Sequence, residues 1–416
     1  MIVKHESEKG QAIVFLVLGL VVFMGFVALA IDGGMAFADR RKSQNGSDAS
    51  SLAGGGEAAL YLENSHVKYY AWDCNSSLIQ EAMAVARQAA IQRAVTNGFS
   101  IDEDSSDSNW VETRCGTDDY GYDDHYIDVT VNISSTTETS FAHLLFPDAL
   151  VNQVDAVTRI HPRMSLGYGN AIIALNPSLC DGNKDGAVFG GSGHTYINGG
   201  GIWTNGCLRG NGSDYYATVI SGTVSYVGLA VGTMNFDPPE SQVPYELPPA
   251  SYEPDLPDCS DPRAHNVTNL PDELDPGLWC VEDGLHITSN KEIWGEGVTI
   301  VVEHGDLTVN GHATIHLSAP NAPPDPAPAI DGLLFYVPYG DVTIDGSSDQ
   351  WYVGLIYSPG PDPYGDCTIR GVGEVLTTFH TQVICWNVEI TGNAVLDINF
   401  DPELHPEKST TIELYR

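Results

Sequence analysis

The chain has 416 residues and a hydrophobic share of 42%, which is enough for about two or three packed domains and excludes disorder throughout. Its 55 Asp and Glu residues outnumber 18 Lys and Arg, so the formal net charge is −37. A chain this acidic repels phosphate backbones, which argues against nucleic acid as a partner. We expect the acidic residues to form a solvated outer surface.

An apolar run lies near the N-terminus. No charged residue occurs between Ala12 and Ile31, and a helix of about 20 residues matches the hydrocarbon thickness of a bilayer. Lys4 and Lys9 precede the run, as in a secretory signal, but a signal core usually has only about 7–15 apolar residues. We therefore predict a basic cytoplasmic leader over 1–10 and a retained transmembrane α-helix over 11–32, with the lipid bilayer as partner.

The orientation of this span is not fixed by charge, because Arg40, Arg41 and Lys42 follow it as closely as the two lysines precede it. The cysteines decide it. They are eight in number and no CxxC metal spacing occurs, which favours disulfides in an oxidising compartment outside the cytoplasm. The simplest pairing joins sequential neighbours, namely Cys74 with Cys115, Cys180 with Cys207, Cys259 with Cys280, and Cys367 with Cys385.

The segment 33–165 is predicted to be an extracytoplasmic helix followed by a small α+β module. Gly33 and Gly34 are expected to interrupt the first helix, and small residues over 48–54 allow close helix packing. Residues 78–95 show helical spacing of apolar positions. Residues 126–133 alternate with a period of two, which predicts a strand with Ile127, Val129, Val131 and Ile133 on one face.

The segment 166–416 is predicted to be an all-β domain, because short strands closed by Gly replace the helical patterns. The copies recur every 20 to 35 residues in the later part and lie at 193–199, 305–311, 340–346, 365–371 and, more loosely, 386–392. This spacing favours a right-handed parallel β-helix, with a Gly-rich sandwich as the alternative. We expect Val309, Ile344 and Ile369 to share one buried column, and Thr308, Thr343 and Thr368 to form an outward row.

Two Pro-rich stretches interrupt the β-rich domain. The first, over 237–279, contains ten prolines, too many for a helix or a central strand. It is predicted to be an extended insert, pinned by a bridge between Cys259 and Cys280. The second stretch, over 319–329, is predicted to be a shorter loop.

The N-terminal residues carry a family resemblance. Glu8-Lys-Gly-Gln-Ala-Ile-Val-Phe15, the apolar span, Ala30-Ile-Asp-Gly-Gly34 and Asp39-Arg-Arg-Lys-Ser-Gln-Asn-Gly-Ser-Asp-Ala-Ser-Ser-Leu-Ala-Gly54 resemble the N-terminal segment of TadG-like proteins of the Tad (Flp) pilus-assembly system. The resemblance covers about residues 8–60. It implies a cytoplasmic N-terminus, a C-terminal bulk outside, and other pilus-assembly or envelope proteins as partners. Type IV-like prepilins carry Glu at the fifth residue after the cut; cleavage after Gly10 would put Phe15 there, so we expect a retained anchor.

Chemical motifs are few. Asp181, Asn183 and Asp185, followed by Gly186, match the first half of a calcium loop, but position 12 is Ser192 where a bidentate Glu is needed. Calcium is the only cofactor this pattern suggests, and a polar turn is the alternative. The histidines show no zinc-type spacing.

A catalytic carboxylate row is the enzyme hypothesis. Asp306, Asp341 and Asp366 share one position of the repeat and could stack, as in a polysaccharide-degrading β-helix. Stacked polar residues at a turn more often form a hydrogen-bonded ladder than a catalytic row, so we expect that the protein is not an enzyme. The predicted function is a membrane-anchored, surface-exposed structural component of a Tad/Flp-type pilus system or of the cell envelope. The alternative is an adhesin or glycan-binding module.

Overall fold

The computed structural model describes residues 11–65, 67, 72–101, 109–118, 124–141, 149–211, 216–233, 235–247, 249–321, 328–346, 350–361, 363–371 and 377–415. The predicted leader over 1–10 and the centre of the second Pro-rich loop lie outside these residues. The chain divides into two compact units. Unit 1 comprises Met1–Arg163 and Ser409–Arg416, and unit 2 comprises Met164–Lys408.

The helices are α1 (Gln11–Asn64), α2 (Ser77–Thr96) and α3 (Pro249–Tyr252). In chain order, the strands of the described chain are β1 Trp110–Asp118, β2 Asp124–Thr137, β3 Leu150–His161, β4 Met164–Ser165, β5 Asn170–Ala174, β6 Ala187–Gly190, β7 His194–Asn198, β8 Gly201–Thr204, β9 Leu208–Asn211, β10 Tyr216–Ile220, β11 Val224–Tyr226, β12 Ala230–Gly232, β13 Phe236–Asp237, β14 Ser241–Gln242, β15 His265–Val267, β16 Glu273–Leu274, β17 Gly277–Ile287, β18 Glu292–Glu296, β19 Val298–Val309, β20 Thr314–Ser318, β21 Leu333–Tyr336, β22 Val342–Gly346, β23 Gln350–Ser358, β24 Asp366–Gly371, β25 Thr377–Cys385, β26 Asn387–Gly392, β27 Leu396–Asn399, β28 Glu407–Lys408 and β29 Thr411–Tyr415.

Unit 1 is built on one long helix. The apolar part of α1 is exposed, and it is long and apolar enough to cross a membrane. The helix then continues through Gly33 and Gly34 without a break, contrary to the predicted interruption. A mid-helix Gly costs only about 1 kcal/mol relative to Ala, which tertiary packing of the following turns can offset.

The second half of α1 packs on α2 and on a four-stranded antiparallel sheet of order β1-β2-β3-β29. Helix α2 is capped by Ser76, whose hydroxyl accepts from the backbone N–H of Ile79. Its buried side is mostly alanine: Ala82, Ala86, Ala90 and Ala94. The predicted alternation in β2 is confirmed, since Ile127, Val129, Val131 and Ile133 are all fully buried.

The fourth strand of this sheet comes from the other end of the chain. Strand β29 pairs antiparallel with β3, placing Tyr415 opposite Val157 and Ile412 opposite Ile160. The guanidinium of Arg159 lies between the rings of Tyr126 and Tyr415, 3.8 and 4.3 Å from their centroids. The sequence pattern places 409–416 in the β-rich domain, whereas the structure places them in unit 1, so unit 2 is an insertion between β3 and β29.

Unit 2 contains a 23-stranded sheet whose pairings are parallel and fall into three stacks. Long strands turn from one stack into the next, so β17, β19, β23 and β25 each belong to two. Stack A has the spatial order β15, β17, β19, β21, β23, β25, β5, β8, β11, β14. Stack B has the order β17, β19, β22, β24, β26, β6, β9, β12. Stack C has the order β16, β18, β20, β23, β25, β27, β7, β10, β13.

Stack B contains the predicted apolar column. Val309, Ile344 and Ile369 lie directly beside one another in successive parallel strands and are buried. The expected outward row is only partly found. Thr308 and Thr343 are half-buried, but Thr368 is only 6% exposed.

One repeat copy does not share this register. Residues 193–199 form β7, which lies in stack C between β27 and β10, whereas the other four copies lie in stack B. In stack B the corresponding place is taken by β6, where Phe189 pairs with Ile390. The Gly-closed strand is a turn signature, and a turn of this kind can end a strand in any stack.

The order of strands in space differs from their order in the chain. Strands β5–β7 lie in the interior of the stacks, because the C-terminal strands β25–β27 pair onto them. The first Pro-rich stretch contributes α3 and the short strands β15 and β16, which pair with β17 and β18. The predicted extended insert therefore carries some regular structure.

Candidate functional site

The junction between the apolar run and the rest of unit 1 is the first candidate site. Asp32 ends the apolar run and is only 3% exposed. Its two carboxylate oxygens accept the backbone N–H groups of Ser140 and Phe141 at 2.8 and 3.0 Å. A buried carboxylate needs such donors to offset its lost hydration. The contact fixes the helix to the chain that follows β2.

A second carboxylate holds the helix two turns further along. Asp39 Oδ2 accepts from the hydroxyls of Ser135 and Thr137, at 2.5 and 2.9 Å, and from the amide of Asn152 at 3.3 Å. The Ser135 hydroxyl bond lowers the pKa of Asp39, aided by Thr137, Asn152 and the nearby charge of Lys42 and opposed by partial burial. The charged form is therefore favoured here.

Three serines continue the same face of α1. The hydroxyl of Ser43 donates to that of Ser135 at 2.9 Å, Ser47 donates to the carbonyl of Val131 at 2.6 Å, and Ser51 accepts from Thr158 at 3.0 Å. The spacing of four residues keeps them on one side of the helix. We call Asp32, Asp39, Ser43, Ser47 and Ser51 the polar seam.

Glycines bring the helix close to its neighbours beyond the seam. A Cβ on Gly54 would lie 2.7 Å from the Ala86 carbonyl oxygen, and one on Gly55 would lie 2.5 Å from the Thr158 side chain. The small residues that the sequence indicated over 48–54 therefore serve close packing. Together with the seam they connect the apolar segment to a packed unit through one continuous helix.

The disulfides are the next group of predicted residues. The structure joins Cys74 with Cys115, Cys180 with Cys207, Cys259 with Cys280, and Cys367 with Cys385. These are the four sequential pairs, with sequence separations of 41, 27, 21 and 18 residues. No cysteine is left free. One bridge lies in unit 1 and three lie in unit 2.

The predicted calcium residues lie in an irregular turn before β6. Asp181 and Asn183 are exposed, while Asp185 Oδ2 accepts from the Ser178 hydroxyl and the Gly182 N–H, at 2.8 and 2.5 Å. The guanidinium of Arg209 donates to the carbonyl of Gly182 at 2.9 Å. Within the described residues no group of three or more His, Cys, Asp or Glu could hold a metal ion. Calcium binding by this turn stays a prediction.

The aspartates of the repeat form a ladder in stack B. Asp306 accepts the backbone N–H of Asp341 at 2.9 Å, and Asp341 accepts that of Asp366 at 3.1 Å. Asp366 in turn accepts from the amide of Asn387 at 2.7 Å. Burial raises the pKa of Asp341, and the neighbouring charges of Asp366 and Asp306 act in the same direction.

A row of aromatic rings crosses the outer face of stack C. Trp294, His316, Trp351 and His380 lie on the neighbouring strands β18, β20, β23 and β25. Their ring centroids are 4.0, 6.3 and 6.2 Å apart in that order, and Trp294 and His316 are parallel within 1°. The two indoles are 47% and 39% exposed. We call these four residues the ring row.

Comparison with known families addresses the N-terminal segment. Residues 10–59 match the family model Tad, described as "Putative Flp pilus-assembly TadE/G-like". The match confirms the resemblance over that segment, which contains the apolar run and the whole polar seam. With the apolar helix, it indicates a membrane-anchored component of a Tad system. No curated protein and no solved structure matches the chain at a significant level.

Two site features were not predicted. The roles of Asp32 and Asp39 had a signal, since a lone acid ends the apolar run and small polar residues follow at helical spacing. The partners of Asp39 lie on β2 and β3 and those of Asp32 follow β2, about a hundred residues away in the chain, so the sequence pattern does not indicate the pairing. The ring row had no signal, because its members lie in strands separated by 22 to 35 residues of irregular spacing.

Proposed function

We propose that the chain is a structural component of a Tad/Flp-type pilus-assembly system, anchored in the membrane by α1 and displaying both units outside the cytoplasm. The observation that carries this proposal is the family match over 10–59, which coincides with a helix that continues from the apolar run into a packed unit. The polar seam supports a rigid anchor, because a helix held at Asp32, where the apolar run ends, and at four further positions beyond it cannot swing freely about its exit point.

The proposed orientation places the N-terminus in the cytoplasm. It rests on the disulfides, since four bridges with no free cysteine are typical of an oxidising compartment. Free thiols at these positions in protein isolated from its native host would contradict this part of the proposal.

For unit 2 we propose a right-handed parallel β-helix. The support is the parallel register in all three stacks, with long strands turning from one stack to the next. Right-handed crossovers dominate parallel strand connections. A structural role, not an enzymatic one, is favoured because each aspartate of the ladder already has an oxygen in a hydrogen bond to its neighbour.

Gene deletion in the native host tests the main proposal. We expect surface pili to disappear while the pilin itself is still made, and the full chain to restore them. A variant whose residues 11–32 are replaced by a cleavable signal should be exported without an anchor and should fail to restore them. Normal piliation in the deletion strain would contradict the proposal.

The ring row favours a second candidate function, binding of a neutral glycan at the cell surface. Exposed indoles offer apolar faces and edges to the C–H groups of sugar rings, and the surrounding acidic surface would repel anionic polysaccharides. Trp294→Ala and Trp351→Ala should abolish retention on a glycan array, with the exposed Tyr364→Ala as matched control. Absence of any glycan binding by the intact chain would exclude this candidate.

A further inference from the structure

The apolar surface of α1 continues beyond Ile31. Between Ala12 and Ala38 the one charged residue is Asp32, whose carboxylate is buried and accepts hydrogen bonds from the chain after β2. Phe37 is 80% exposed. The exposed surface of the helix therefore stays free of charge as far as Ala38, about 10 Å along the helix axis from Ile31.

Two exposed apolar side chains come from the sheet side of unit 1. Phe141 follows β2 and is 45% exposed, and Leu150 begins β3 and is 43% exposed. Neither belongs to the buried core of unit 1. We call these two residues the apolar rim.

Phe141 lies at the level where the apolar run ends. Its backbone N–H donates to the carboxylate of Asp32 at 3.0 Å, and Asp32 directly follows Ile31. Side chains of a helix lean toward its N-terminus, so this bond holds Phe141 beside the last turn of the run. That level is within the polar layer, about 5–7 Å thick, between the hydrocarbon and water on each side of a bilayer.

The level of Leu150 follows from the direction of β3. The amide of Asn152 donates to Asp39, and the hydroxyl of Thr158 donates to Ser51. Between these contacts the strand advances about 20 Å and the helix about 18 Å. Strand β3 therefore runs nearly parallel to α1, with its first residue nearest the membrane.

Leu150 precedes Asn152 by two residues, so the two side chains lie on the same face of the sheet. Leu150 is then about 7 Å nearer the membrane than Asn152. Because Asp39 is about 12 Å beyond Ile31 along the helix axis, Leu150 lies about 5 Å beyond Ile31, in the same polar layer as Phe141.

We propose that unit 1 sits directly on the bilayer, with the apolar rim and Phe37 inserted in the interfacial layer of the adjacent leaflet. The partner is the glycerol and upper acyl region of the lipids, whatever the charge of their headgroups. The carboxylate of Glu138, exposed on the segment before Phe141, stays in the hydrated headgroup zone. The proposal rests on the membrane anchor of the proposed function and adds a second attachment that sets the tilt of unit 1.

A lipid surface is favoured over a protein partner by position. Phe37 is five residues after Asp32, so it projects about 140° away from it around the helix, and the exposed apolar residues lie on both sides of α1. They are continuous with the helix surface that already faces lipid. The net charge of −37 repels anionic lipids, so apolar contact is what holds unit 1 close to the membrane.

Spin labels on the full chain in phosphatidylcholine nanodiscs test this. The protein has no free cysteine, so one introduced cysteine carries the nitroxide. The measurement compares accessibility to oxygen, which concentrates in lipid, with accessibility to a nickel chelate, which stays in water. Phe141→Cys and Leu150→Cys should give an oxygen-to-nickel ratio several-fold above that of Leu78→Cys.

Leu78 is the matched control because it is 44% exposed. A Cβ on Gly46 would meet Phe99, which follows α2, and one on Gly54 would meet Ala86. Helix α2 therefore runs opposite to α1, and its first turn, with Leu78, lies farthest from the bilayer.

A charge placed in the rim gives a second readout. Phe141→Asp should lower the ratio of a label at Leu150 to the control level, because a carboxylate is costly beside acyl chains. Leu78→Asp should leave that ratio unchanged. Equal effects of the two substitutions would contradict insertion of the rim.

The other outcomes separate the proposal from the anchor. A label at Val22, in the middle of the apolar run, should report lipid. Lipid at Val22 with control ratios at both rim positions would overturn the proposal and leave the anchor intact. Shielding of the rim labels from both probes would assign the rim to a second copy of the chain.

Two further results would also overturn the proposal. Loss of the high rim ratio at high salt would assign the contact to charge attraction by 40–42, since salt screens charges and leaves apolar contact in place. A water-like ratio at Val22 would refute the membrane anchor, and with it the proposed function.

Discussion

The contact surface of α1 in unit 1 and the apolar core of unit 2 are packed in opposite ways. In unit 1 the helix α1 approaches α2 and the sheet through Gly54, Gly55 and the serines of the polar seam, so close contact depends on side chains being small. In unit 2 the parallel stacks are filled by branched aliphatic residues such as Ile344 and Ile390. The difference teaches that atoms added on this face of α1 should damage unit 1, whereas atoms removed from the stacked aliphatic residues should damage unit 2.

The largest effect is expected in the apolar column of stack B. Ile344→Ala removes a fully buried side chain between Val309 and Ile369, and the resulting cavity should cost about 2–5 kcal/mol. Thr343→Ala, one residue away on a half-buried position, should cost less than about 1 kcal/mol. Urea unfolding of the detergent-solubilised chain measures both. Equal costs would show that the column is not a packed core.

Acid should destabilise unit 2 through His405. Burial lowers the pKa of this imidazole to about 4, below the ordinary value of about 6.5. As the pH falls, the unfolded chain therefore binds this proton before the folded chain does. The contribution of neutral His405 to the free energy of unfolding is fully present above about pH 6.5 and is lost as the pH falls toward 4. The full loss is about 3 kcal/mol.

The slope of unfolding free energy against pH checks this. His405→Asn should flatten the slope between pH 6.5 and 4, whereas the exposed His312→Asn should leave it unchanged. In unit 1 the lowered pKa of Asp39 predicts a loss only below about pH 4, as the carboxylate itself is protonated. If His405→Asn kept the wild-type slope, the acid destabilisation of unit 2 could not be assigned to His405.

Substitution by alanine should have opposite effects on the free energy of unfolding at two nearby glycines of α1. Gly54→Ala brings a Cβ to 2.7 Å from the Ala86 carbonyl oxygen and should cost about 1–3 kcal/mol by forcing the helices apart. At Gly56 no atom lies within 4 Å of the added Cβ, so Gly56→Ala should stabilise by about 0.5–1 kcal/mol. Changes of the same sign at both positions would refute close packing as the reason for the glycines.

The smallest effect is expected in the polar seam. Asp39→Asn keeps the shape of the side chain but replaces charge-assisted hydrogen bonds with neutral ones, and should cost about 1 kcal/mol because the site is partly exposed. Hydrogen exchange of the backbone amides of 135–137 gives the readout. Unchanged protection there would mean that Asp39 does not hold α1 to β2.

Local patterns predicted much of this molecule. The spacing of apolar residues predicted α2 within one residue at each end, and the alternation in β2 predicted which of its residues are buried. The repeat predicted the column of Val309, Ile344 and Ile369, because strand register follows from the turn that closes each copy.

Long-range pairing was not predictable from the same patterns. Strand β29 is five residues long and all of its residues are exposed, Leu414 at 39% and Tyr415 at 51%. Nothing in its composition distinguishes it from a strand of unit 2. The copy at 193–199 has the repeat signature but pairs in stack C with β27 and β10. Which strands lie beside it depends on the fold of the whole unit and not on its own sequence. Asp32 and Asp39 likewise bind partners that are close in space but about a hundred residues away along the chain.

The central claim is that α1 crosses the membrane once and that both units lie outside. Its most direct test is protease treatment of cells whose outer barrier is permeabilised but whose cytoplasmic membrane is intact, with one epitope before Gly10 and another after Arg416. The account predicts that the C-terminal epitope is lost and the N-terminal epitope is protected until the cytoplasmic membrane is lysed. Protection of the C-terminal epitope, or loss of both together, would contradict it.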